Sequence, residues 1–168
     1  MTNPDNLILT KKQTSQKIKR IAFEIYESNF EEDEIVIAGI NGTGYEIGKV
    51  LQEEFAKIAP VKCHLAQLII DKKEPLKSKI TLDCEMDLLS NKCIILVDDV
   101  LNTGRTFAYS LKPFQDITVK RIQVAVIVDR AYHRYPISAD FVGYSLSTTV
   151  NERVEVRQEQ DGFGVYLH

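Results

Sequence analysis

The sequence predicts an α/β fold, a mainly parallel sheet of about five strands flanked by helices. Three observations predict it. Buried-looking apolar runs, EIVIAGI at 34–40, KCIILV at 92–97 and RIQVAVIV at 121–128, have the length of strands. They alternate with segments whose apolar residues recur at helical spacing, the pattern of βα units. The residues able to do chemistry fall directly after the runs, where an open α/β sheet binds ligands.

Taken in order, Thr10 is a plausible N-cap for a first helix, with Ile18, Ile21, Ala22, Ile25 and Tyr26 on one face. The run at 34–40 reads as a buried strand and NGTG at 41–44 as a loop. A second helix is expected over 45–58, with Ile47, Val50, Leu51, Phe55 and Ile58 on one side. Residues 61–70 read as a strand. Residues 71–78, DKKEPLKS, are polar, interrupted by Pro75, and read as an exposed, mobile loop. A short strand is expected at 80–83 and a longer one at 92–97. A helix follows and ends near Pro113. Strands are expected at 121–128 and 141–145. The last two, 154–158 and 163–167, are expected to pair as a hairpin around Asp161 and Gly162.

The 168 residues predict one domain over 1–168, long enough to bury a core. Apolar residues are 44% and charged residues 27%, an ordinary globular balance. The net charge of -3 and pI of about 5.7 exclude a bulk positive field drawing in nucleic acid. Three cysteines without C-x-x-C spacing support neither a disulfide framework nor a zinc knuckle. Cys63 and Cys93 are expected as buried small hydrophobes. The N-terminal MTNPDNLILTKKQ lacks the pattern of a leader, and no apolar run reaches the roughly 18 residues of a membrane span. A cytoplasmic protein without membrane contact is expected.

The most informative stretch is ILVDDVLNTGRT at 95–106. A strand running into Asp98 and Asp99, then Thr103-Gly104-Arg105-Thr106 at a helix start, places orphan N–H donors and hydroxyls beside two carboxylates. The donors suit a phosphate. The acids would repel a bare phosphate, but they suit one whose ligand also brings hydroxyls or a divalent cation. A sugar phosphate with Mg²⁺ meets both conditions. Three other readings compete. A Walker B strand needs a P-loop upstream, and in GINGTGY at 39–45 Tyr45 stands where the lysine belongs. A dinucleotide site could use Gly42, Gly44 and Gly48, but it leaves the second motif unexplained. A plain turn rich in Asp and Thr is the structural alternative.

ILVDDVLNTGRT resembles the phosphoribosyl pyrophosphate (PRPP) motif of type I phosphoribosyltransferases. AVIVDRAYHRYPISADFVG at 125–143, IKRIAFEIYE at 18–27 and AGINGTGYEIGKVL at 38–51 are similar to the pyrimidine-operon attenuator and uracil phosphoribosyltransferase family. The resemblance runs from about residue 7 to the end. It implies the type I phosphoribosyltransferase fold with a small hood and a mobile loop. It also implies transfer of ribose 5-phosphate from PRPP to a nucleobase, uracil foremost, with Mg²⁺ carried mainly by PRPP and no direct side-chain ligation. Asp98 and Asp99 would bind the ribose hydroxyls. Asn102, Thr103, Gly104, Arg105 and Thr106 would hold the 5′-phosphate. Asn41, Gly42, Thr43 and Gly44 would line the pyrophosphate site. Val128, Asp129 and Arg130 would lie next to the base.

The chain also departs from the family pattern. Where the family has Lys-Thr-Arg-Gly it has Asn41, Gly42, Thr43 and Gly44. Where the mobile loop carries Tyr-Arg-Asp it has Ile69, Ile70 and Asp71. Lys72 and Lys73 are the expected substitutes for the missing cationic groups. The His-Arg pair of the family moves one place, to His133 and Arg134, and His133 reads as an exposed loop histidine without a catalytic role. The alternative function is a PRPP- or nucleotide-sensing, RNA-binding regulator of pyrimidine genes with little turnover. A homodimer or dimer of dimers is implied.

Overall fold

The protein is described by a computed structural model over residues 6–168; the first five residues of the N-terminal stretch read above lie outside the described residues. The elements are β1 (Leu7–Leu9), α1 (Lys11–Asn29), β2 (Glu34–Ile40), α2 (Thr43–Ile58), β3 (Lys62–Ile69), β4 (Thr81–Leu82), β5 (Cys93–Leu101), α3 (Arg105–Ser110), β6 (Arg121–Asp129), β7 (Phe141–Ser145), β8 (Val154–Glu159) and β9 (Gly162–Leu167). Thr10 caps α1 as expected. Its hydroxyl accepts the Gln13 N–H, and the Gln13 side chain accepts the Thr10 N–H in return, satisfying two orphan donors.

The main sheet runs β4-β3-β2-β5-β6-β7. Its five longer strands are parallel, and β4 adds an antiparallel edge. Parallel strands joined by helices are covered on both faces, so they read as continuous apolar runs rather than alternating ones. One face packs Ile35, Ile37, Ile95 and Ile127 against Ile21 and Ile25 of α1 and Leu51 and Phe55 of α2. The other packs Val36, Ala38, Leu96 and Val126 against Phe107 of α3 and Phe114 of the 3-10 turn Lys112–Asp116. Cys93 is buried, Cys63 only partly so. Burial pushes the Cys63 thiol up to about 12, which keeps it unreactive.

A second sheet, β1-β9-β8, is antiparallel and adds Leu9, Val156, Phe163 and Val165 to the α1–α2 layer. The β8–β9 hairpin was legible, though β9 already opens at Gly162. β1 was not, because three residues, LIL, are too few to show a period.

Two further differences bear on the ligand end. β5 continues four residues past the expected end at Val97 and carries both acids inside the strand. Its neighbour β6 is equally long, and pairing of Leu101 with Asp129 overrides the polarity of the acids. α2 begins at Thr43, two residues before the expected start, because Gly42 at φ 92° turns the chain directly into the helix.

Candidate functional site

The carboxyl ends of β2, β3, β5 and β6 carry the residues singled out from the sequence. β5 delivers Asp98 and Asp99. Asp98 Oδ1 accepts the Asp99 N–H at 2.9 Å, and Asp99 Oδ1 accepts the Val100 N–H at 2.8 Å. The carboxylates thus brace the backbone where regular pairing thins out. Asp98 is almost wholly buried, and Asp99 is partly exposed.

The turn before α2 lies directly against Asp98. A Cβ built on Gly44 would stand 2.7 Å from Asp98 Oδ1 and 2.9 Å from the Val97 carbonyl. Glycine is therefore required for this approach. The first N–H groups of α2, a 16-residue helix, open beside the acids, an end whose orphan donors suit an anion. The Asn41 side chain points elsewhere. Its Oδ1 accepts the Ile70 N–H at 2.9 Å and ties the end of β3 to the turn.

Lys72 follows β3. Its ammonium donates to both Asp98 oxygens, at 3.1 and 3.0 Å. Burial first, and the Asp99 charge second, push the Asp98 carboxyl up to about 8, while Lys72 pulls it down. Asp98 takes three hydrogen bonds from two donors, the Lys72 ammonium and the Asp99 N–H, while the Asp99 carboxyl beside it favours the protonated form. The raising influences win, so the carboxyl is held well above the usual carboxylate range.

Residues 71–78 are irregular, as expected, but not featureless. Asp71 Oδ1 accepts the N–H groups of Lys73 and Glu74, both at 3.0 Å, and Pro75 is buried. Lys73 and Lys77 share a cleft of about 410 Å³ with Arg105, so the loop borders the start of α3. Ile70, which stands at the family's arginine position, is buried in the core.

The turn at Thr103 to Thr106 encloses a small recess of about 30 Å³. A separate cleft of about 360 Å³ lies between α1, α2 and the β8–β9 hairpin. Gly104 has φ 89° and packs against Tyr135 and Ile137. α3 has only six residues, so its N–H groups rather than a long macrodipole face the recess. The Thr103 carbonyl accepts the N–H groups of Arg134 and Tyr135, which fixes the turn from above.

At the end of β6, Val128 turns its side chain into the core and can offer only backbone groups outward. The Arg130 guanidinium is taken up by Asn102 Oδ1 at 3.0 Å, Thr148 Oγ1 at 2.9 Å and the Glu152 carbonyl at 2.7 Å. It clamps the segment before β8 onto the turn that leads into α3. Asp129 Oδ1 accepts the Ala131 N–H and meets His133. Sequence reasoning missed the contacts of Lys72 with Asp98, of Arg130 with Asn102 and of His133 with Asp129. The only signal for the last was the spacing of four between acid and histidine.

A family model described as "Phosphoribosyl transferase domain" matches residues 6–159. The chain is 35% identical over 162 residues to the Bifunctional protein PyrR of Haemophilus ducreyi, covering 92% of this chain and 90% of that protein. It is 34% identical over 170 residues to the Bifunctional protein PyrR of Deinococcus radiodurans, covering 96% and 93%. Among solved structures it resembles the hypoxanthine phosphoribosyltransferase of Trypanosoma cruzi, with a TM-score of 0.77, 15% identity and coverage of 96% and 95%. A hypoxanthine-guanine phosphoribosyltransferase of Bacillus anthracis gives a TM-score of 0.70 at 17% identity, with coverage of 84% and 82%. These structural likenesses show the fold, a central sheet flanked by helices.

Proposed function

The chain belongs to the phosphoribosyl transferase domain family, and on that premise we propose that it transfers ribose 5-phosphate from PRPP to uracil and releases pyrophosphate. One observation carries this reading. The N-terminus of α2, the acid pair and the turn at Thr103 to Thr106 open on one end of the sheet, with Gly44 seated on Asp98. Uracil is the base implied by the resemblance of residues 125–143.

The resemblance and the geometry together support these roles. The N–H groups and hydroxyls of Thr103 and Thr106, with Asn102, Gly104 and Arg105 shaping the turn, take the 5′-phosphate. Asp98 and Asp99 accept the ribose hydroxyls and stabilise positive charge on the sugar as its bond to pyrophosphate breaks. The turn from Asn41 through Gly42 and Thr43 to Gly44 receives pyrophosphate on its N–H groups. The base lies over the end of β6, beside Asp129 and the backbone of Val128 and Arg130. Holding both reactants in line is most of the catalysis.

Two adjacent carboxylates suit Mg²⁺ that arrives with PRPP and keeps its waters. Among the described residues no group of three His, Cys, Asp or Glu side chains could cage an ion. When bound, Mg²⁺ neutralises the leaving pyrophosphate. Lys72 and Lys73 supply the remaining positive charge that Thr43 and Ile70 do not. The loop at 71–78 excludes water from the reactive sugar.

Thr106→Val removes a hydroxyl donor to phosphate and is expected to weaken UMP binding roughly 10- to 100-fold, because a hydrogen bond to a charged group is worth about 1.5–3 kcal/mol. Unchanged affinity by calorimetry would reject the phosphate site. Lys72→Ala removes the cation that holds the Asp98 carboxyl down, so that carboxyl rises further. The gain of PRPP binding that accompanies ionisation of Asp98 should therefore come at higher pH in the variant than in the wild type. A binding profile that overlays the wild type from pH 6 to 9 would take Lys72 out of the account.

The regulator reading keeps its place because this chain lacks the family's cationic residues at Thr43 and Ile70. A steady-state assay of pyrophosphate release with uracil and other bases tests the main proposal. Release with uracil supports transfer. Tight PRPP binding without release from any base favours the sensor. We also infer a homodimer or dimer of dimers, supported by two exposed aromatic side chains, Phe23 on α1 and Phe30 just past its end. A monomer by light scattering at micromolar concentration would reject it.

A further inference from the structure

His133 reads from sequence as a surface histidine without a role, yet its Nε2 stands 3.0 Å from Asp129 Oδ1. The same oxygen accepts the Ala131 N–H at 2.9 Å. Ala131 has φ 56°, the left-handed region, which an alanine adopts only at a cost. Such strain persists where surrounding contacts impose it, and it concentrates at ligand-binding sites. Here the contacts are the Asp129 carboxylate on one side and Thr103 on the other, whose carbonyl accepts the Arg134 and Tyr135 N–H groups at 2.8 and 3.0 Å. The histidine is therefore carried on a loop fixed to the phosphate turn.

The neighbouring cations are engaged elsewhere. Arg130 holds Asn102, Thr148 and the Glu152 carbonyl, and Arg134 donates to the Tyr132 hydroxyl at 2.9 Å. Among the described residues Asp129 Oδ2 receives no hydrogen bond, while Oδ1 receives two. An ordinary surface ion pair would be worth little and would explain neither the bent Ala131 nor the one-sided use of the carboxylate.

We propose that His133 is the positioning residue of the nucleobase subsite. By donating from Nε2 to Asp129 Oδ1 it turns Oδ2 outward as a fixed acceptor, and this selects bases that present an N–H donor to it, as the ring N–H of uracil does. The proposal rests on the phosphoribosyl-transfer reading above.

The test is calorimetry with UMP and, separately, ribose 5-phosphate. The two share phosphate and ribose, so the ratio of their dissociation constants isolates the base and needs no turnover. His133→Ala is expected to reduce the preference for UMP about tenfold, the scale of one hydrogen bond, and to leave ribose 5-phosphate binding unchanged. His133→Gln, whose amide N–H can donate to Oδ1, should restore most of the preference. In steady state the alanine variant should raise KM for uracil more than it lowers kcat. An unchanged ratio in His133→Ala, or a glutamine variant as poor as alanine, overturns the role of His133 and leaves the transfer reading standing. Failure of the wild type to bind either ligand overturns both.

Discussion

Above pH 8, where the Asp98 carboxyl is ionised, Asp98→Asn is expected to lower kcat/KM for PRPP by roughly 100- to 10,000-fold, the scale of two hydrogen bonds from sugar hydroxyls to a charged acceptor. The fold should survive. Asparagine keeps the shape, and one oxygen can still accept the Asp99 N–H. The same variant should remove a pH dependence of stability. Burial raises the Asp98 carboxyl to about 8, against roughly 3.9 in an unfolded chain. Between those values the folded state holds more protons than the unfolded one. Wild-type stability therefore falls as pH rises through that window, and asparagine has no such proton to lose. Urea unfolding at pH 5 and pH 8 should show the wild type losing stability relative to Asp98→Asn. Parallel changes in the two proteins would contradict the reading of Asp98 as a buried acid whose carboxyl is raised by folding.

Gly44→Ala should damage both structure and binding. The added methyl would lie 2.7 Å from Asp98 Oδ1, 2.9 Å from the Val97 carbonyl and 3.0 Å from Asp98 Cα. Two of these are backbone atoms of a central strand and cannot swing aside. The turn must lift, which is an overpacking cost of about 1–3 kcal/mol, with roughly 2–4 °C in Tm for each kcal/mol. The anion-binding end of α2 would also move away from the acids, and turnover should fall with it. A variant with wild-type Tm and normal turnover would show that the close approach of turn and strand is not needed.

The centre of the sheet was legible because β2, β5 and β6 bury both faces, and continuous apolar runs do that. EIVIAGI marked β2 to the residue. β1 was illegible because its place depends on β9, some 155 residues away, and not on its own three side chains. The acid pair and the phosphate turn were legible as a motif, because the close backbone approaches demand glycine and the donors demand threonine. Side-chain partners were not. Nothing local says that Arg130, expected beside the base, is taken up by Asn102 and the segment before β8. Nor does anything local say that Lys72 rather than Lys73 reaches Asp98. Such pairings are set by where separate strand ends meet, and a linear pattern carries only the distance along the chain.

The central claim is that one end of the sheet takes PRPP across the two helix N-termini and the acid pair. A crystal structure with PRPP and Mg²⁺ tests it most directly. The account predicts the 5′-phosphate on the N–H groups of Thr103 to Thr106, ribose hydroxyls on Asp98 and Asp99, pyrophosphate at Gly42 to Gly44, and Lys72 displaced from Asp98. PRPP bound elsewhere, or the Lys72–Asp98 pair intact beside a ligand-free sheet end at saturating PRPP, would contradict it.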